Sequence, residues 1–169
     1  MSHPLLLRER FHRWERFFMK QVIEVDLDSS SDKIFNVLNN LEAYENLLGF
    51  VDCVEALESE EGVPCWLVTL RAKIGPFARL KKLRMARTEE KRPEVVRFSR
   101  RETDGKNHSD WELCILLKEQ GGDRCLVIIE VSYSGRFWSA PLQSVFNSHV
   151  DTAKDLLQQT FSGDNRGDL

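Results

Sequence analysis

Apolar residues recur along this chain with two periods, and the places where the period changes mark its elements. Positions 21–28 alternate, with Ile23, Val25 and Leu27 on one side, which predicts a half-buried strand. Ser29-Ser30-Ser31-Asp32 then supplies helix-capping side chains, and Ile34, Phe35, Val37, Leu38 and Leu41 follow at helical spacing. Positions 42–48 read as a second short helical turn, ended by Gly49. Strands follow over 50–58 and 65–74, where Trp66, Val68, Leu70, Ala72 and Ile74 share one face. Gly75-Pro76 breaks that run, and 78–89 is basic and irregular, with a bulge expected near Lys81-Lys82.

Two hairpins follow. Asp104-Gly105 is a two-residue turn signal that pairs Thr103 with Lys106 and sets Phe98 opposite Trp111, Val96 opposite Leu113 and Arg97 opposite Glu112. Around Gln120-Gly121-Gly122-Asp123, a two-residue loop would set Leu113 against Glu130. A three-residue loop at 121–123 instead joins Leu117 to Val127, Ile115 to Ile129, Leu113 to Val131 and Trp111 to Tyr133. That register faces Cys114 to Glu130 and Cys125 to Glu119, so these two thiols cannot bridge the hairpin.

Positions 137–162 predict one long amphipathic helix, with Ser139 able to cap and Pro141 in its first turn. Leu142, Val145, Phe146, His149, Val150, Ala153, Leu156, Leu157 and Phe161 form its apolar stripe. The order is strand, two short helices, antiparallel strands and a long helix. It predicts an α+β fold: a curved antiparallel sheet of six to seven strands wrapped around the C-terminal helix. A gap between sheet and helix is where such a fold binds small apolar ligands.

Composition narrows the class. The 169 residues suit one domain, and 30% charged residues with no apolar run near about 20 residues exclude a membrane-spanning chain. The proposed division is an N-terminal basic extension (1–20), one folded domain (21–162) and a polar tail (163–169). No CxxC pair exists among Cys53, Cys65, Cys114 and Cys125, so neither a metal nor a cofactor is expected. With no secretory signal read at the start, reduced thiols in a cytoplasmic protein are expected.

A net charge of −3 conceals a segregation: positions 21–70 carry −10 and 71–101 carry +9. The basic block either meets phosphates or is balanced by the acidic first third. Nucleic acid is not an expected partner, because no aromatic-and-basic strand motif accompanies the charge.

The run VIEVDLDSSSDKIFNVLNNLEAYENLLGFVDCVEAL, the turn Ala72-Lys73-Ile74-Gly75-Pro76-Phe77, and Trp111-Glu112-Leu113 followed by Gly-Gly-Asp-Arg and Val-Ser-Tyr carry a resemblance. In this order they are similar to the helix-grip fold of the START-like (SRPBCC, Bet v 1-like) superfamily. Its members include polyketide cyclase/dehydrase-like proteins, coenzyme Q-binding proteins and a family of small carbon monoxide dehydrogenase components. The resemblance implies binding or transport of a hydrophobic small molecule: a lipid, isoprenoid quinone or polyketide. The alternatives are a polyketide cyclase or dehydratase using Arg100, Tyr133 or His149 as acid/base groups, and a non-catalytic protein that binds a partner or membrane surface through its basic face.

No GxSxG, HExxH, Walker A or GxGxxG motif exists, so no catalytic residue is assigned. His108-x-Asp110 is placed on the outer sheet face by the first hairpin. The expected cavity residues are Trp66, Val68, Leu70, Phe98, Leu113 and Val131 on the sheet, with Phe146 and His149 on the helix and Arg100, Trp111 and Tyr133 at the mouth. Each has a bland reading: Arg100 snorkels to water, Trp111 and Tyr133 pack the core, and His149 is a hydrogen-bonded rim residue.

Leu7, Phe11, Trp14 and Phe18 form a helical stripe beside Arg8, Arg10, Arg13 and Arg16. This basic amphipathic helix could lie on an anionic membrane as a peripheral anchor. Alternatively it, or a second copy of the chain in a homodimer, could cover the outer-face residues Cys114, Leu116, Leu126 and Ile128. Met19 also resembles an ordinary start, which would leave the first eighteen residues outside the protein.

Overall fold

The structure, a computed structural model, describes residues 19–135 and 140–162. Expectations for residues 1–18 of the N-terminal extension, the Ser139 cap and the tail lie outside the described residues, while Met19 and Lys20 belong to the first strand. Within them the strands are β1 (Met19–Leu27), β2 (Val51–Glu60), β3 (Val63–Ile74), β4 (Phe77–Lys91), β5 (Val95–Arg100), β6 (Asp110–Glu119) and β7 (Cys125–Ser134). The helices are α1 (Ser31–Leu38), a 3₁₀ turn (Leu41–Glu45) and α2 (Ala140–Ser162). All seven strands form one antiparallel sheet in the order β1-β7-β6-β5-β4-β3-β2. Helix α2 packs against both β1 and β3, which four other strands separate in that order. Only a strongly curved sheet can bring both onto one helix, and this is the helix-grip α+β fold.

The first helix starts where its capping residues stand. Ser30 is the N-cap, and its hydroxyl accepts from the backbone N–H of Lys33. Ile34, Phe35 and Leu38 are buried beneath it. The 3₁₀ turn is capped by Asn40, whose side chain accepts from Glu42 N.

The β6–β7 register is the one parity selects: Leu117↔Val127, Ile115↔Ile129, Leu113↔Val131 and Trp111↔Tyr133. Gly121, Gly122 and Asp123 all take positive φ in the three-residue loop, which Gln120 N closes by donating to Arg124 O. All four cysteines are free, and burial raises the thiol pKa of both Cys114 and Cys125.

Two expectations need correction. The β5–β6 ladder is displaced by two residues: Phe98 faces Leu113, Val96 faces Ile115 and Arg97 faces Cys114. Asp104-Gly105 is no tight turn, because positions 101–109 form a loop held by the Asp104 carboxylate. That carboxylate accepts from Lys106 N at 3.1 Å and lies 2.8 Å from His108 Nε2, so His108 sits in the loop and not on the outer sheet face. Secondly, β4 runs straight through Lys81-Lys82 against β3, and its irregularity falls between Arg87 and Glu89, opposite β5.

Among the described residues, no helix is long and apolar enough to cross a membrane.

Candidate functional site

The sheet's inner face, the 3₁₀ turn and the segment after it line an apolar cavity of about 50 Å³. Leu41, Tyr44, Leu48 and Phe50 form one side. Opposite them stand Val51 and Val54 of β2, Val68 and Leu70 of β3, Leu83 and Met85 of β4, Trp111, Glu112 and Leu113 of β6, and Val131 of β7. Glu112 is the one charged residue of this wall, and its carboxylate is ion-paired with Arg97.

The expected location between sheet and C-terminal helix is therefore modified. No described residue of α2 lines the cavity, because 41–50 lies between. The helix reaches it through Phe146, whose ring stacks on Phe50 at 4.4 Å and approaches Trp111 at 6.4 Å.

Of the eleven expected cavity residues, the fold brings Val68, Leu70, Trp111, Leu113 and Val131 into one wall. Trp66 and Phe98 are core-filling instead: their rings meet edge to face at 5.6 Å, and Phe98 also meets Tyr44 at 6.2 Å. Tyr133 stacks on Trp111 at 4.7 Å, and its phenol lies over Gly135 so closely that a Cβ there would stand 1.8 Å from Oη. His149 turns to Gly49 and the edge of Phe50, away from the lining.

Arg100 is neither in the wall nor snorkelling to bulk water. Its side chain is 8% exposed, and Nε donates to Glu102 Oε1 at 2.7 Å. Nη1 donates to Ser109 O and Oγ, both at 3.1 Å. Beside it lies Lys81, 3.5 Å from Ser109 Oγ and 5.8 Å from the Tyr133 ring centre. Partial desolvation, then the positive charge of Arg100, lower the pKa of Lys81, while Glu102 opposes them. This polar cluster lies at the end of the inner face where Trp111 and Tyr133 stack.

Sequence reasoning missed two parts of the site. Leu41, Tyr44 and Leu48 carried a signal in their i, i+3, i+7 spacing. Lys81 carried none, because 77–82 is exposed on both faces and its sequence marks no inner side. Tyr44 is fully buried, its hydroxyl donates to Leu38 O at 2.7 Å, and burial raises its pKa well above the ordinary phenol value.

The wall contains one unmet donor. Trp111 Nε1 is buried and has no hydrogen-bond partner among the described residues. A buried N–H without an acceptor costs about 1–3 kcal/mol. Among the described residues, no cluster of His, Cys, Asp and Glu could hold a metal ion.

No protein-family profile matches the chain, and no curated protein sequence does. Solved structures do. An aromatase/cyclase, Zhui, from Streptomyces sp. R1128 superposes with a TM-score of 0.64 at 12% identity, over 88% of this chain and 96% of that one. A START superfamily protein from Mycobacterium smegmatis gives 0.58 at 15% identity, over 83% and 98%. A conserved protein from Geobacillus kaustophilus gives 0.64 at 13% identity, over 85% and 95%. At such identities the likeness is one of fold.

Proposed function

We propose that this chain binds an apolar small molecule carrying a hydrogen-bond acceptor oxygen, of the lipid or quinone kind, and holds it without chemical change. The supporting observation is the pairing of an apolar wall with the unmet indole N–H of Trp111. Hydrocarbon contact supplies affinity, and the single donor orients a carbonyl or hydroxyl oxygen. Binding favours the carrier reading over a cyclase because the three residues a cyclase would use stand elsewhere. Arg100 is held by Glu102, His149 packs on Gly49, and Tyr133 stacks behind Trp111.

The cavity's 50 Å³ admits only part of such a molecule, since an apolar void known to take up benzene measures about 150 Å³. A larger ligand must therefore displace the wall. Met85, with its unbranched side chain, and the short 3₁₀ segment are the adaptable parts.

Thermal unfolding tests this reading with two probes of one shape: menadione, a methylated naphthoquinone, and methylnaphthalene, which lacks its oxygens. A ligand that binds only the folded state raises the midpoint by mass action. Menadione should raise it more than methylnaphthalene, and Trp111→Phe should remove the difference. A midpoint unmoved by either compound, or by lipids extracted from cells, would overturn the reading.

A further inference from the structure

The hairpin of β3 and β4 extends past the rest of the sheet. The β2 ladder ends at Leu70 and the β5 ladder begins only at Met85, so around the Gly75-Pro76 turn each strand pairs only with its sister. At the strand rise of about 3.3 Å per residue, the ribbon projects by about 10 Å. Among the described residues it holds the two most exposed large apolar side chains, Phe77 at 72% and Leu80 at 59%. Positions 71–82 contain five basic residues and no acidic one.

Most other basic residues of positions 71–101 are ion-paired. Arg71 pairs with Asp52, Arg84 with Glu60, Arg87 with Glu90, Lys91 with Glu94, and Arg97 with Glu89 and Glu112. The side chains of the ribbon's Lys73, Arg79 and Lys82 have no hydrogen bond or ion pair among the described residues. Uncompensated cations thus coincide with uncovered apolar side chains at one protruding element.

We propose that this ribbon docks the protein on an anionic lipid bilayer, with Phe77 and Leu80 entering the interface and Lys73, Arg79 and Lys82 meeting lipid phosphates and carboxylates. An aromatic and an aliphatic side chain at the tip gain by leaving water, and long basic side chains snorkel to the headgroups. A bilayer fits better than nucleic acid, because Phe77 and Leu80 fall on opposite faces of the ribbon and offer no common stacking platform. The ribbon's root adjoins the cavity: Lys81 pairs with the lining residue Leu70. The docking claim stands whether or not the cavity takes a ligand.

Co-sedimentation of the full chain with phosphatidylcholine vesicles, with and without phosphatidylserine, is the test. Binding should need phosphatidylserine and weaken with salt. Phe77→Ser with Leu80→Ser, and separately Lys73→Glu with Arg79→Glu, should each lower vesicle partitioning by at least about tenfold. Both double variants should keep the parent's thermal midpoint, since all four side chains are exposed. Undiminished partitioning of the serine variant, failure of the parent to bind, or retention of single-stranded DNA in preference to vesicles would each overturn the proposal.

Discussion

The imidazole of His149 in the last helix rests against the backbone of Gly49, so closely that a Cβ there would stand 2.5 Å from Nδ1 and 2.8 Å from Cε1. This contact joins α2 to the segment that forms one side of the cavity, and it gives His149 a packing role. Gly49→Ala should therefore destabilise the protein by about 1–3 kcal/mol, the usual cost of overpacking. In a His149→Ala background the same substitution should cost about 1 kcal/mol less. Urea unfolding of the four proteins in that cycle measures the coupling. Equal costs in both backgrounds would mean that the ring moves aside freely.

Phe98, 0% exposed between Trp66 and Tyr44, supports the wall from behind. Phe98→Ala should cost about 3–5 kcal/mol, and Phe98→Leu much less because it restores most of the volume. Chemical denaturation distinguishes this from a ring that lines an open site, where truncation would alter binding and leave stability nearly unchanged.

The cluster at the inner face's end makes a prediction about pH. Lys81 has a lowered pKa in the folded state, so between that value and the ordinary lysine value the unfolded chain binds more protons. Stability should rise with pH across that window. Arg100→Met removes a repelling charge and should raise the Lys81 pKa, whereas Glu102→Gln removes an attracting one and should lower it further. Titration of the lysine side-chain carbon resonances reads both shifts. A Lys81 value unmoved in both variants would show that burial alone sets it.

Much of the fold was legible because alternation reports which face is buried. It placed α1 on its capping serines and chose an odd β6–β7 loop, since any other parity puts Glu130 against Leu113. Parity cannot detect a slip of two residues, and so Phe98 was paired with Trp111 when it faces Leu113. The deciding interaction was a side chain holding its own loop: Asp104 with Lys106 and His108. The ribbon of β4 was obscured for another reason. Over 77–82 both faces are exposed, so no burial pattern exists to mark a strand. Parity put Val68, Leu70, Trp111, Leu113 and Val131 on the inner face, but it could not separate them from Trp66 and Phe98, which share that face and fill the core. The spacing of Leu41, Tyr44 and Leu48 marks one apolar face in 41–50, but it does not encode which part of the sheet that face meets.

The central claim is that Trp111 Nε1 awaits an acceptor oxygen from an apolar ligand, and a ¹⁵N–¹H spectrum of the indole groups tests it most directly. The chain has four tryptophans, and the Trp111 signal is the one that Trp111→Phe removes. On titration with menadione that signal should move downfield as its N–H gains a partner, and with methylnaphthalene it should not. A Trp111 resonance left in place while the protein binds menadione, or no binding at all, would contradict the account.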